Sequence, residues 1–415
     1  MSDNLMEHVV SAANVERALR AVIRNQGAPG IDKMTTAQLE SHAQRHWESI
    51  RERLLAGKWT PSPVRLVEIA KDGGGTRRLG IPTVVDRWIQ TMLLGALEPL
   101  FEPNMSEHSY GFRPGRSQHD AVKAAQRYVQ EGKSWVVDID IKAFFDHVNH
   151  DILLHKLGQV IQDKRVLRLI GRYLRAGIMI NGVVTEKEEG TPQGSPLSPL
   201  LSNIYLEALD QELAQRKLSF CRYADDCNIY VSSPRSAERV MASLSEWLSK
   251  ELRLQVNAEK SATGRPWERG YLGFSIERDG NISLAKRSIE KLKDKVREYW
   301  RSCQSRSSEQ LRDTWRAYLR GWWGYFRLVQ VRRPLTALSG WIRRHIRKCF
   351  WLRWHSAKGR YNALRRLGIT GQLLKTAGST RGAWRIAATG ALQKALSNAR
   401  LRRHGFLTPA DLCDA

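Results

Sequence analysis

From Thr314 to Ala410 the chain carries no carboxylate. Residues 281–415 hold 30 Lys/Arg against 7 Asp/Glu, whereas residues 1–280 are nearly balanced at 37 against 35. A one-signed stretch of this length repels itself. It can fold only with its cations on the outside of a dry interior, and a polyanion relieves the repulsion by releasing its counterions. The pattern suits that arrangement. Ile289, Leu292, Val296 and Trp300 recur at helical spacing, and Lys286, Arg287, Lys291, Lys293, Lys295, Arg297 and Arg301 cover the other faces. Tryptophans recur through the same region and serve either a helix-packing core or flat faces for bases; Trp322 and Trp341 are expected in the core. Nucleic acid fits this surface better than an anionic membrane does.

The chain has 415 residues, 42% of them hydrophobic, which is enough for two or three domains and too apolar for wholesale disorder. Apolar runs such as Met92–Leu94 fall far short of a membrane span, and Met1–Val10, with Asp3 and Glu7, lacks the basic start of a secretory signal. The cytoplasm is the expected compartment. Cys221, Cys227, Cys303, Cys349 and Cys413 are odd in number and have no CxxC spacing. They read as small buried hydrophobes, not a disulfide framework or zinc ribbon.

Residues 12–56 read as helical, broken at Gly27-Ala28-Pro29-Gly30. Val64–Ala70 and a second strand ending at Ile81 flank a Gly-rich turn, and helices follow over Asp86–Leu100 and Ser117–Glu131, the second with a Ser117/Asp120 capping box. Ser134–Ile141 is a β-branched strand. A hairpin turns at Asn181-Gly182, and a Pro/Gly loop over Gly190–Pro196 leads into a helix to about Leu213. Leu218–Tyr223 and Cys227–Val231 form a second hairpin, followed by a helix at 235–252 and a strand at 271–276. This order predicts an α+β fold with an antiparallel sheet. Composition changes near 277–285, beyond which the chain reads as all-helical, with breaks near Pro334 and Gly371.

Asp140 ends an apolar strand, and Asp225 and Asp226 lie in a tight turn between two others. If these strands are neighbours, three carboxylates meet at one sheet edge, and they stay ionised together only if a cation compensates. Hard oxygen ligands suit magnesium. Two such ions, roughly 3.5–4 Å apart, activate an attacking hydroxyl and stabilise a leaving oxygen. Taken alone, an Asp-Asp pair is more often a polar turn.

The surrounding motifs decide between these. Tyr223-Ala224-Asp225-Asp226 resembles the YxDD signature of reverse transcriptases. Around it, in the order that family shows, stand Lys71–Pro82 (KDGGGTRRLGIP), Tyr110–Arg116 (YGFRPGR), Asp140–Asp146 (DIKAFFD), Thr191–Pro199 (TPQGSPLSP), Asn257–Lys260 and Tyr271–Phe274. Leu319–Arg327 (LRGWWGYFR) and Arg381–Arg385 resemble the thumb and maturase part of group II intron-encoded proteins. The resemblance covers nearly the whole chain, and the compact size is most similar to the group IIC branch.

The resemblance implies a right-hand polymerase fold. Fingers and palm would occupy residues 1–280, a helical thumb (maturase region X) 281–360, and a basic helical nucleic-acid-binding region 361–415, with no Cys/His cluster for an endonuclease. It assigns Asp140, Asp225, Asp226 and Ile141 to two Mg2+ ions. Lys71, Arg77, Phe145 and Gln193 go to the incoming dNTP, with the Phe145 ring excluding a 2′-hydroxyl. Arg113, Arg116, Lys260, Arg320 and Arg327 are expected to contact template, primer or RNA, and Asn25–Asp32 to lid the template. The implied partners are group II intron RNA, an RNA template with a DNA or RNA primer, target DNA and dNTPs. Two alternatives stay open: a host-domesticated reverse transcriptase, and an RNA-binding splicing factor without polymerase activity.

Overall fold

The structure, a computed structural model, describes residues 4–70, 76–180, 183–185, 189–191, 194–301 and 305–413. It forms two compact units, Met1–Arg265 and Pro266–Ala415.

In the first unit, α1 (Leu5–Val9), α2 (Ala12–Asn25) and α3 (Leu39–Leu55) precede β1 (Val64–Ala70), β2 (Thr76–Ile81) and α4 (Val84–Phe101). Thr83 caps α4, accepting from the Asp86 N–H at 3.1 Å. The buried Asp86 carboxylate in turn accepts from Thr83 Oγ1, the Ser62 N–H, Trp59 Nε1 and the Tyr173 hydroxyl at 2.7–3.2 Å. A buried carboxylate is tolerable only with such a full set of donors. Then come α5 (Gln118–Gln130), opened by the expected Ser117/Asp120 capping box, β3 (Trp135–Asp140), α6 (His150–Val160) and α7 (Lys164–Arg175). The unit continues with β4 (Ile178–Ile180), β5 (Val183–Thr185), α8 (Ser198–Gln215), β6 (Ser219–Tyr223), β7 (Asp226–Val231), α9 (Pro234–Glu251) and β8 (Ala262–Gly264). The predicted turn at Asn181-Gly182 lies outside the described residues.

Among the described residues of this unit, two four-stranded sheets result. One runs β6-β7-β3-β8, wholly antiparallel; the other runs β2-β1-β4-β5. The second departs from the all-antiparallel expectation, because Val64 and Arg65 pair parallel with Ile178 and Met179. Strands brought together across several intervening helices give no local sequence signal of their direction. Val136, Val137, Ile139, Phe220, Cys227 and Ile229 are buried in the first sheet, which explains its β-branched runs. Cys221, Cys227 and Cys349 are buried, as expected, Cys413 is only partly buried, and Cys303 lies outside the described residues.

The second unit begins with the hairpin β9 (Phe274–Ile276) and β10 (Ile282–Leu284), followed by α10 (Lys286–Arg301), α11 (Ser308–Phe326), α12 (Arg332–Arg353) and α13 (Ala357–Arg366). Short helices α14 (Ala383–Ile386), α15 (Gly390–Ala395), α16 (Asn398–Arg403) and α17 (Pro409–Cys413) close it. The unit starts before the composition change because β10 is tied to the helices: the Gln330 N–H donates to Ile282 O at 2.8 Å. Leu292, Val296 and Trp300 are the buried stripe of α10. Trp300, Trp315 and Trp351 are core, each at most 2% exposed. Trp322 and Trp341 are not: both are only partly buried, contrary to expectation. Trp322 lies on Phe326 at 4.7 Å, and Trp341 lies against His345 at 4.3 Å under the Arg297 guanidinium. Helical spacing cannot distinguish a stripe facing the core from one facing its rim. Among the described residues no helix is long and apolar enough to cross a membrane.

His345 sits between Trp341 and Trp384. Burial, reinforced by Lys348, Arg297 and Arg344, pushes its imidazole down to about 4. The unfolded chain therefore binds this proton more readily, so the associated stability is complete above about pH 6.5 and is lost as pH falls toward 4. The pH dependence of thermal unfolding between pH 7 and 4.5 should flatten in His345→Gln. An unchanged slope would show that the ring is not held neutral.

Candidate active site

β3 and β7 are hydrogen-bonded neighbours with Asp140 directly opposite Asp226. Tyr223 pairs with Asp226, so Ala224 and Asp225 alone make the turn. The three acids separated in sequence thus meet at one end of one sheet. Asp138, two residues before Asp140 and hence on the same face, joins them. Burial and the charges of Asp138, Asp225 and Asp140 push the Asp226 carboxyl up to about 8. Asp140 is anchored through its backbone: its N–H donates to Ser261 Oγ at 2.9 Å, and its carbonyl accepts from the Asn257 N–H at 2.8 Å. Lys260 Nζ stands 3.6 Å from Asp140 Oδ2. The Ile141 side chain is buried, which leaves its backbone as the part able to reach a ligand.

The donor set fits a hard divalent cation. Its oxygens are carboxylates, and their mutual repulsion is what a cation removes. Among the described residues no three acids, His or Cys form a ready-made metal cage. Magnesium does not require one, since it keeps waters and takes ligands from substrate phosphates.

The turn rests on a buried polar platform that sequence reasoning missed. Ala224 is left-handed (φ 58°), at a hairpin position usually given to glycine. Arg222 Nη1 donates to Ala224 O at 2.9 Å and to Asn203 Oδ1 at 3.0 Å. Its Nε and Nη2 form a two-pronged ion pair with Asp210 at 2.7 and 2.5 Å, and both residues are fully buried. Asn203 Nδ2 donates to Gly111 O at 2.8 Å, and any Cβ on Gly111 would lie 2.3 Å from Ala224 N. The Tyr110–Arg116 motif is therefore packed beside the aspartate turn, with the Tyr110 N–H donating to Arg222 O at 2.8 Å. Asp210 did leave a trace, as the acid at helical spacing from Leu206, Leu209 and Leu213 on one helix.

In the same unit, a cleft of about 750 Å3 is lined by Phe145, Phe112, Leu79, Gly27, Arg87 and Gly194 among others. It joins the N-terminal Gly/Pro loop, β2 and the Pro/Gly loop before α8. Gly194 (φ 107°) lies so close to β2 that a Cβ would sit 3.0 Å from Leu79 Cδ1. Arg87, buried, donates to Ala28 O at 2.8 Å and so fastens the Gly27–Gly30 loop to α4. Phe112, left-handed and 52% exposed, faces Tyr223 at 6.3 Å; a bulky residue in that backbone state marks a position fixed by its surroundings.

Arg77 lies in β2 opposite Ile69, whereas Lys71 and Gln193 lie outside the described residues. Arg113 is corrected. It is buried and engaged by Glu102 at 2.8–3.1 Å and by the carbonyls of Ser109 and Ser106, so it braces its own loop and offers no free donor to a template. Arg116 donates to Glu107 O at 2.5 Å and remains partly exposed, and Arg320 and Arg327 are exposed on the second unit.

Residues 69–276 match the family "Reverse transcriptase (RNA-dependent DNA polymerase)", and residues 289–368 match "Group II intron, maturase-specific domain". Protein YkfC of Escherichia coli K12 is 32% identical over 284 residues, covering 59% of this chain and 74% of that one. The group II intron-encoded protein LtrA of Lactococcus lactis is 41% identical over 176 residues, 42% of this chain but only 29% of LtrA. Among solved structures, a telomerase from Candida albicans aligns with TM-score 0.45 and 12% identity over 71% of this chain and 60% of that one, a likeness too loose to add to the family match. The aspartate-bearing sheet of the first unit and the basic helices of the second thus agree with the sequence matches, and the chain belongs to the reverse transcriptase family, with a group II intron maturase-specific domain in its second part.

Proposed function

We propose that the chain is an RNA-directed DNA polymerase that also serves as a maturase for a group II intron. The pairing of Asp140 with Asp226 across β3 and β7, with Asp225 in the adjoining turn, carries this reading. Asp140, Asp225 and Asp226, with the Ile141 carbonyl, would hold two Mg2+ ions. When bound, such ions make the primer 3′-hydroxyl a better nucleophile and stabilise the departing pyrophosphate oxygen. The chain's own residues do the positioning. The Arg222 platform fixes the turn, and Phe145 and Phe112 wall the cleft where base and sugar would lie. Lys71, Arg77 and Gln193 are assigned to the triphosphate by their motifs alone. The second unit, which contains the acid-free run from Thr314 to Ala410, is assigned to intron RNA and to the template–primer duplex, with target DNA as the further partner and the cytoplasm as the compartment. The in-register acids favour the polymerase over a splicing factor without activity.

Extension of a DNA primer on an RNA template, with Mg2+ and dNTPs, tests the reading; an inert wild-type protein would refute it. The Phe145 gate has its own test. Phe145 is half-buried in a short 3-10 turn, and its carbonyl accepts from the Thr191 N–H at 2.7 Å, so the ring position is fixed. Phe145→Ala should raise rNTP incorporation relative to dNTP by roughly tenfold or more, the scale of one steric exclusion in a pocket. No change in that ratio would remove the assignment.

A further inference from the structure

Two cavities in the second unit share Arg312 and His404. The first, about 310 Å3, is a mainly apolar recess lined by Phe350, Leu367, Leu401 and Phe406, with Ser308, Glu309 and Arg400 also in its wall. The second, about 300 Å3, is lined by Arg312, Arg316, Arg402 and Arg403, and no carboxylate lines it. Both are built into the fold. Trp315 Nε1 donates to Leu407 O at 2.8 Å, and Arg400 Nη1 donates to Leu367 O at 2.8 Å. Gly405 is left-handed (φ 80°), and a Cβ there would stand 3.0 Å from Arg312 Cδ and 3.2 Å from Arg316 Cδ. The left-handed backbone and the close approach of the two arginine stems favour glycine here.

Arg312 and Arg316 stand one turn apart on α11, and Arg402 and Arg403 end α16. Arg312 is paired with Asp313 at 2.7 Å, and Arg402 is 4.0 Å from Asp411. Among the described residues, the side chains of Arg316 and Arg403 make no salt bridge or hydrogen bond, although Arg316 lies in the field of Asp313. Guanidinium forks gathered in this way match phosphate oxygens. An apolar, aromatic-edged recess at the same spot matches the flat face of a base, and single-stranded RNA is read by splaying bases onto such surfaces. A duplex end or a helical peptide is too large for the recess.

We propose that this corner of α11, α12 and α16 captures one extruded nucleotide of bound RNA, with the base in the Phe350/Phe406 recess and the flanking phosphates in the four-arginine cleft. The site rests on the reading of the second unit as RNA-binding and gives it a specific point of attachment. An acidic peptide would satisfy the arginines but leave the recess empty.

The test uses the full chain and three fluorescein-labelled strands of 12 units: oligoadenylate, an abasic ribose-phosphate strand, and oligodeoxyadenylate. Wild type should bind oligoadenylate at least tenfold more tightly than the abasic strand. Ser308→Trp, at an exposed helix position, fills the recess without disturbing the core; it should erase that advantage while leaving the abasic strand's affinity unchanged. The Arg316→Ala/Arg403→Ala double variant should weaken both ribose strands at least tenfold. It should also lower the slope of log affinity against log salt by about 1.4, for two phosphates on a single strand. A base-dependent advantage that survives Ser308→Trp, or arginine variants that bind as wild type does, would overturn the proposal. A DNA strand held as tightly as RNA, or polyglutamate competing as well as oligoadenylate, would overturn its assignment to RNA. Primer extension by the same preparations separates the two ideas: a protein that extends primers but fails these tests loses only the nucleotide site, and the converse loses only the polymerase.

Discussion

Asp225→Ala is expected to lower primer extension on an RNA template by at least about 10³-fold while leaving the fold intact. Asp225 sits partly exposed in a two-residue turn, so removing its carboxylate opens no cavity. Chemistry should suffer far more. A metal acting on the reacting oxygens contributes several kcal/mol to the transition state, and each 1.36 kcal/mol is about tenfold in rate. Thermal unfolding of the variant should match wild type within about 0.5 kcal/mol, the range of ordinary surface substitutions. Single-turnover extension measured beside the melting curve checks both halves. Substantial activity in the variant would mean that the paired aspartates are not where the chemistry occurs.

Asp210→Ala should produce the largest loss of stability, about 3–5 kcal/mol, because it leaves the Arg222 guanidinium buried without its counter-charge. The informative variant is the double replacement Asp210→Leu/Arg222→Met. Exchanging a buried ion pair for apolar groups of similar volume is often neutral, so denaturant unfolding should recover most of the loss. Extension should stay low, because Ala224 O and Asn203 Oδ1 still lack the donor that holds the aspartate turn in its left-handed state. If activity returns together with stability, the ion pair is scaffold only and the turn holds itself.

The site acids are legible in the amino-acid sequence because each stands where a regular pattern breaks. Asp140 ends a β-branched strand, and Asp225-Asp226 interrupts two apolar ones. The Ser117 cap and the first strand, Val64–Ala70, are equally plain, since caps and short strands are local. What stays hidden depends on partners far along the chain. Arg113 reads as a surface arginine until Glu102 and two carbonyls are found around it. Arg222 looks like an ordinary strand residue until Asp210 arrives from α8. The parallel join of β1 and β4, and the half-exposed Trp322 and Trp341, follow from how elements assemble and leave no mark in spacing.

The bonds that close the second unit reach far back: Trp315 to Leu407 spans 92 residues, and Arg343 to Asp411, at 2.8 Å, spans 68. Asp411 is also the first carboxylate after the acid-free run, and it accepts from the Thr408 N–H and hydroxyl. On the ribosome, α11 to α13 therefore emerge with their arginines assembled but their clasp still unsynthesised. Contacts of such long separation form late. During that interval the nascent segment is a sticky cation without its latch, and any RNA nearby meets it before the unit has finished folding.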